Sequence, residues 1–236
     1  MVLAAPLSAA ASASARAKGD TLVVSHVYNG YTRMKLPDGG FKPETYAFAE
    51  GGIFDTAMIG NDSVNTVGFT KVARLVADAL KTQNYVLSAS PDKIDQMIML
   101  WYGSVNNPRT DKRGYWNARW QNIRILGFAK EQSRADGLSF TTLSHDFYDE
   151  LDSYRYFVVL KAYDFQAART EKKLKLLWES RFSLRQQGVD FVAELPAMSR
   201  FAALTFGRET RGIVRPEDLK PTVELGELRV VGEETP

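Results

Sequence analysis

The sequence predicts an α+β fold, a two-layer α/β sandwich in which a mainly antiparallel sheet carries helices packed on one face. Three observations carry this. In the second half, two strand-like runs, "SYRYFVVLKAYDF" and "KLKLLWESRFSL", follow one another across a polar connection, the pattern of an antiparallel hairpin. Amphipathic helical stretches lie around Val67–Leu80 and Phe191–Phe206, away from that hairpin. The 236 residues are 44% hydrophobic and 25% charged, enough apolar material for one sizeable core.

The elements follow in order. "DTLVVSHVYN" is a short apolar run closed by a turn residue, a first strand. The Pro-Asp-Gly-Gly of "LPDGGF" is a turn. In "TYAFAEGG", Tyr46 and Phe48 alternate with small residues, which predicts a second strand ended by the glycine pair. "TVGFTKVARLVADALKTQNY" gathers Val67, Val72, Leu75, Val76, Ala79 and Leu80 on one helical face, with Thr66 placed to cap it and Asn84 to stop it. Gln96 to Tyr102 reads as a buried strand closed by Gly103. "GYWNARWQNIRILGF" admits a helix or a strand with a short helix, and its Trp116, Trp120, Ile123 and Gly127 spacing favours the helix. "DFYDELDS" is a helical turn before the strand Ser153 to Phe165, whose centre is apolar on both faces. Phe191, Val192, Leu195, Met198, Phe201, Ala202 and Phe206 form a last helical stripe, with a kink at Pro196 or a start near Leu195. "ELRVVG" in the tail is a candidate edge strand.

This divides the chain into a signal-like or disordered segment, residues 1–19, a single domain, residues 20–207, and a charged tail, residues 208–236. The first segment is small, rich in alanine and serine, and uncharged until Arg16, with Ala-Ser-Ala steps that resemble a secretory cleavage region without the basic leader. The expected location is therefore periplasmic or secreted. Cysteine is absent, which excludes disulfides and thiolate nucleophiles and argues against a lipid anchor on a mature N-terminal cysteine. The formal charge of +2 gives nucleic acid no footprint, and no apolar run has the length of a membrane span.

No reactive constellation stands out. The two histidines, His26 and His145, lie in unrelated contexts, and Ser25 beside His26 points to the opposite face of a strand. His145, Asp146, Asp149, Glu150 and Asp152 are clustered without the spacing of a calcium loop, so they read as a solvated helix start; a hydrolase would have to draw on Asp146 and Asp149. The glycine-rich pieces match no phosphate-binding loop, and no metal or cofactor is expected. The excess is aromatic. Trp101, Tyr115, Trp116 and Trp120 are the candidate ligand-binding residues, since such rings stack on sugars or form interfaces, although a sheet core and its covering helix also use them.

Thr45 and Tyr46 in "TYAF", Tyr85, Pro91 and Asp92 in "NYVLSASPDK", and Asp164, Leu177 and Trp178 around the hairpin together resemble the motifs of an uncharacterised bacterial envelope family, domain of unknown function 4136. The resemblance runs roughly from Asp20 to Gly207. It implies an exported α/β domain with no established activity and no catalytic residues. The expected function is that of a non-enzymatic envelope protein meeting other envelope proteins or cell-wall glycans. The alternative is a small-ligand or sugar-binding domain that uses surface aromatics.

Overall fold

The computed structural model describes residues 21–55, 62–137 and 142–219. The strands are β1 (Leu22–Val27), β2 (Glu44–Asp55), β3 (Tyr85–Leu87), β4 (Gln96–Val105), β5 (Arg155–Asp164) and β6 (Leu176–Arg185). The helices are α1 (Asp62–Asn65), α2 (Phe69–Lys81), α3 (Tyr115–Leu126), α4 (Ala129–Gly137), α5 (Thr142–Leu151), α6 (Phe165–Thr170) and α7 (Phe191–Ala203). The class is α+β, around one six-stranded sheet of order β1-β6-β5-β4-β2-β3. The signal-like segment and the "ELRVVG" strand lie outside the described residues.

Two features of the expected architecture are corrected. The sheet is mixed: β1, β6, β5 and β4 are antiparallel neighbours, whereas β2 runs parallel to both β4 and β3. The reason is the crossover through α2, which returns the chain to the sheet in the same direction. The helices also cover both faces. Val23, Ile98, Leu100, Tyr102, Tyr156, Val158, Leu160, Trp178 and Phe182 pack on one side with Val72, Val76 and Leu80 of α2 and Phe191, Leu195 and Met198 of α7. Leu22, Val24, Val105, Phe157 and Val159 pack on the other with Ile123 and Leu126 of α3, Ala135 of α4 and Phe147 and Leu151 of α5. A strand that is apolar on both sides at its centre, as β5 is, needs cover on both.

The glycine pair does not end β2. Gly51 is the extra residue of a bulge between Glu50 and Gly52, and the strand continues to Asp55 against β4. Helix α2 begins at Phe69, and Gly68 rather than Thr66 is its N-cap. The chain stays helical from Phe191 through Pro196, with the Asp190 carboxylate accepting the Ala193 amide at 2.8 Å as N-cap. The hairpin connection folds into α6, capped by Asp164 accepting from the Ala167 amide at 3.0 Å.

Beyond α7 the chain turns back along β1. The Val23 amide donates to the Val214 carbonyl at 3.0 Å, the Ser25 amide to Thr210 Oγ1 at 3.0 Å, and the Val27 amide to Glu209 Oε2 at 3.0 Å. Alternate amides along the outer edge of β1 are thereby paired.

Candidate functional site

The pleat sends successive side chains of a strand to opposite faces. Trp178 goes to the α2/α7 side, fully buried, its indole N–H donating to Gln96 Oε1 at 2.8 Å. Its neighbours Glu179 and Arg181 go to the other side. There Trp101, Val159 and Arg181 stand opposite one another across β4, β5 and β6, and Lys161 stands opposite Glu179 in the next row. The helices α3 to α5 cover only part of this face. Where α3 meets the uncovered part, a cleft of about 600 Å³ opens. Its floor is Trp101, Phe157, Val159, Lys161 and Arg181, and its wall is Asn117, Trp120, Gln121, Arg124 and Ile125 of α3.

Each wall residue is placed by the helical repeat. Asn117, Trp120, Gln121 and Arg124 recur at i, i+3, i+4 and i+7, a single face. The opposite face carries Ala118, Arg119, Asn122, Ile123 and Leu126, all buried. Asn122 fixes the helix by donating to the carbonyls of Asn106, at 2.8 Å, and Leu151, at 3.3 Å. The large tryptophans of α3 are thus on its open side: Trp116 is 67% exposed and Trp120 58%.

The floor is held by charge. Glu179, only 6% exposed, receives Arg181 Nε on one carboxylate oxygen at 2.5 Å and Lys161 Nζ on the other at 3.0 Å. Burial pushes its carboxyl up, but the hydrogen bond and charge of Arg181, with those of Lys161, prevail and hold it below the usual glutamate value. The Arg181 guanidinium also donates to the carbonyls of Arg124 and, at 2.7 Å, Ile125, so it caps the C-terminus of α3 from the sheet. Gly127 permits this. Its φ of +81° is the left-handed C-cap conformation, and a Cβ there would lie 2.7 Å from Arg181 Cδ. Lys161 Nζ lies 5.8 Å from the centre of the Trp101 ring, within cation–π reach. Trp101 itself lies on the backbone of the β2 bulge, where a Cβ on Gly51 would meet its ring at 2.3 Å. The bulge that lengthens β2 is therefore also the seat of the indole.

Of the four residues expected to bind ligand, the structure brings Trp101 and Trp120 into one cleft. Trp116 lies one helical turn before Trp120 on the same open side. Tyr115 is half-buried beside it, edge-on to the Trp116 ring at 5.1 Å, and bonded to Arg119, and neither ring lines the cleft. Arg124 and Lys161 carry no mark in the sequence, and Arg181 reads there only as a charged strand residue two positions from Glu179. Cations on the polar face of a strand or helix carry no pattern that separates a site from solvent.

The acidic cluster resolves differently. Asp146 and Asp149 line a second cavity of about 720 Å³, together with Arg134, Arg185, Arg211 and Arg215. Glu150 pairs with the buried Arg155 and with Arg185, and Asp152 pairs with Arg109. Ser25 and His26 separate as their adjacency requires. Ser25 Oγ bonds Ser180 Oγ at 2.7 Å in the core, and His26 Nδ1 meets Glu209 at 2.9 Å on the other face. Among the described residues no three His, Asp or Glu side chains gather as a metal site, and no helix is long and apolar enough to cross a membrane.

No family model matches the chain, and no curated protein matches it. Solved structures that resemble it include a PDZ domain protein from Parabacteroides distasonis, at 12% identity and a TM-score of 0.42 over 86% of this chain. This chain spans only 41% of that protein. A DUF4136 family protein from Bacteroides thetaiotaomicron is 11% identical, with a TM-score of 0.38 over 80% of this chain and 98% of its own. A PelC dodecamer from Paraburkholderia phytofirmans is 8% identical, with a TM-score of 0.33 over 77% of this chain and 96% of its own. At these scores the likeness carries no argument about function.

Proposed function

We propose that the protein is a non-enzymatic glycan-binding domain of the bacterial envelope, periplasmic or secreted, and that it takes its ligand in the Trp101–Trp120 cleft. The observation that carries this is the composition of the cleft: two indole rings share one lining with planar amide and guanidinium groups. A sugar offers an apolar C–H face, which stacks on an indole, and a rim of hydroxyls, which pair with planar amides and guanidinium forks. Asn117, Gln121 and Arg124 supply those groups along one helical face, and Arg124 has no side-chain hydrogen bond or ion pair among the described residues.

The signal-like residues 1–19 and the motifs that resemble the envelope family of unknown function favour an exported setting. A contact with another envelope protein is the competing use of the same aromatic surface. The test is a titration of intrinsic tryptophan fluorescence with a panel of soluble oligosaccharides, on the native chain and on Trp120→Ala. Saccharide-dependent quenching that Trp120→Ala removes is the expected result. A flat response across the panel would remove the glycan reading.

A further inference from the structure

The residues lining the cleft have an unbalanced charge. Arg124, Lys161 and Arg181 are cationic, and no aspartate or glutamate lines the same space. The one carboxylate bonded to them, Glu179, lies beneath the floor, where it offsets one charge of the three. The three cations also differ in how they are held. Arg181 is committed to Glu179 and to the end of α3, and Lys161 is drawn down towards Glu179 beside Trp101. Arg124 is exposed, and its guanidinium is left for solvent or a ligand. A site for a neutral sugar needs stacking faces and hydrogen-bonding groups but gains nothing from three cations. A carboxylate beside the stacked ring would meet the free guanidinium fork in bidentate geometry, with Lys161 as a second positive charge.

We infer that the cleft selects an acidic glycan, seating a sugar ring on Trp101 and Trp120 and its carboxylate on Arg124 with Lys161 nearby. This rests on the glycan reading above and names its substrate class. The selecting residue is Arg124, because it is the cation of the cleft that the fold does not use. Trp116, one turn nearer the N-terminus of α3 and exposed, extends the aromatic lane beyond the cleft, so a chain of sugars fits the surface better than a single one.

The experiment is isothermal titration with two oligosaccharides of equal length and linkage, one of uronic acids and one of the corresponding neutral sugars. It is run at low and high salt on the native protein, Arg124→Ala and Trp120→Ala. The acidic oligomer should bind at least tenfold more tightly at low salt, and the preference should shrink as salt screens it. Arg124→Ala should weaken the acidic oligomer far more than the neutral one, so that most of the preference is lost. Trp120→Ala should weaken both ligands. Equal affinities for the two oligomers, or a preference unchanged in Arg124→Ala, would overturn the acidic selection and leave the glycan reading standing. Binding of neither oligomer would overturn both. Arg124 is exposed and its bonds to the rest of the fold are made by its backbone, so Arg124→Ala is expected to fold, and its circular dichroism melt checks that.

Discussion

The two faces of the sheet are made by the same strands and put to different use. On the α2/α7 side every central strand residue is covered: Trp178, Tyr102, Tyr156, Ile98 and Leu160 are buried completely, and even Ser25 and Ser180 are satisfied by each other and by Thr205. On the α3–α5 side the cover stops short, and the strands there present Trp101, Lys161, Glu179 and Arg181 rather than aliphatic groups. The first face excludes water throughout, whereas the second does so only under α3 to α5 and elsewhere depends on a few directed ionic contacts that leave an opening. The sealed core and the open cleft are thus separated by the pleat, one residue apart along β4 and β6.

Trp178→Ala tests the sealed face and has the largest expected effect. It removes a ring stacked on Phe206 at 5.8 Å and orphans Gln96 Oε1, so denaturant unfolding should show a loss of about 3–5 kcal/mol. Next comes the seat of the cleft. Gly51→Val would force the Trp101 ring off the bulge, at a cost of about 1–3 kcal/mol in stability and with a shift in tryptophan emission. An unshifted emission spectrum would mean that the indole does not depend on the bulge.

Glu179→Gln tests the ionic floor. Since both partners of Glu179 are partly solvated, the expected loss at neutral pH is about 1–2 kcal/mol. The sign of its pH dependence follows from its lowered folded value. The stabilisation is present above the unfolded glutamate value of about 4.3 and disappears as pH falls through the folded value. Unfolding measured from neutral pH down into acid should therefore show native and Glu179→Gln converging. A constant gap would place the stabilisation elsewhere than in the charge. The smallest effect on stability belongs to the most exposed part of the cleft: Trp120→Ala should change unfolding by less than about 0.5 kcal/mol while removing the saccharide-dependent fluorescence response. If it destabilises as much as Trp178→Ala, the two faces are not divided as described.

Much of the sealed face was legible in the sequence, because its signals are periodic. The apolar stripes of α2 and α7 and the alternation in β6 depend on the helical and strand repeats, which survive without coordinates. The second layer of helices was written in β5, whose "YFVVL" is apolar at consecutive positions and so demands cover on both sides. Strand β3 is three residues long, too short for any periodicity, and owes its place to pairing with β2. Gly51 and Gly52 look the same in sequence whether they end a strand or bulge it. The cleft was half legible. Aromatic excess marked Trp101 and Trp120, but a ring's exposure depends on which face of α3 is buried, and α3 buries an arginine and an asparagine in place of its tryptophans. The alternation of β6 alone puts Glu179 and Arg181 on the face opposite Trp178, yet their company with Trp101 is a property of strand order, which no local pattern carries.

The chain that returns along β1 has a consequence for exchange with solvent. An outermost strand ordinarily leaves every second amide facing water, where its proton is lost quickly and where a foreign strand can add. Here the amides of Val23, Ser25 and Val27 are each held, by Val214, Thr210 and Glu209. In deuterated water β1 should retain its protons as an interior strand does, and truncation before Glu209 should release them and open that margin of the sheet to strand addition.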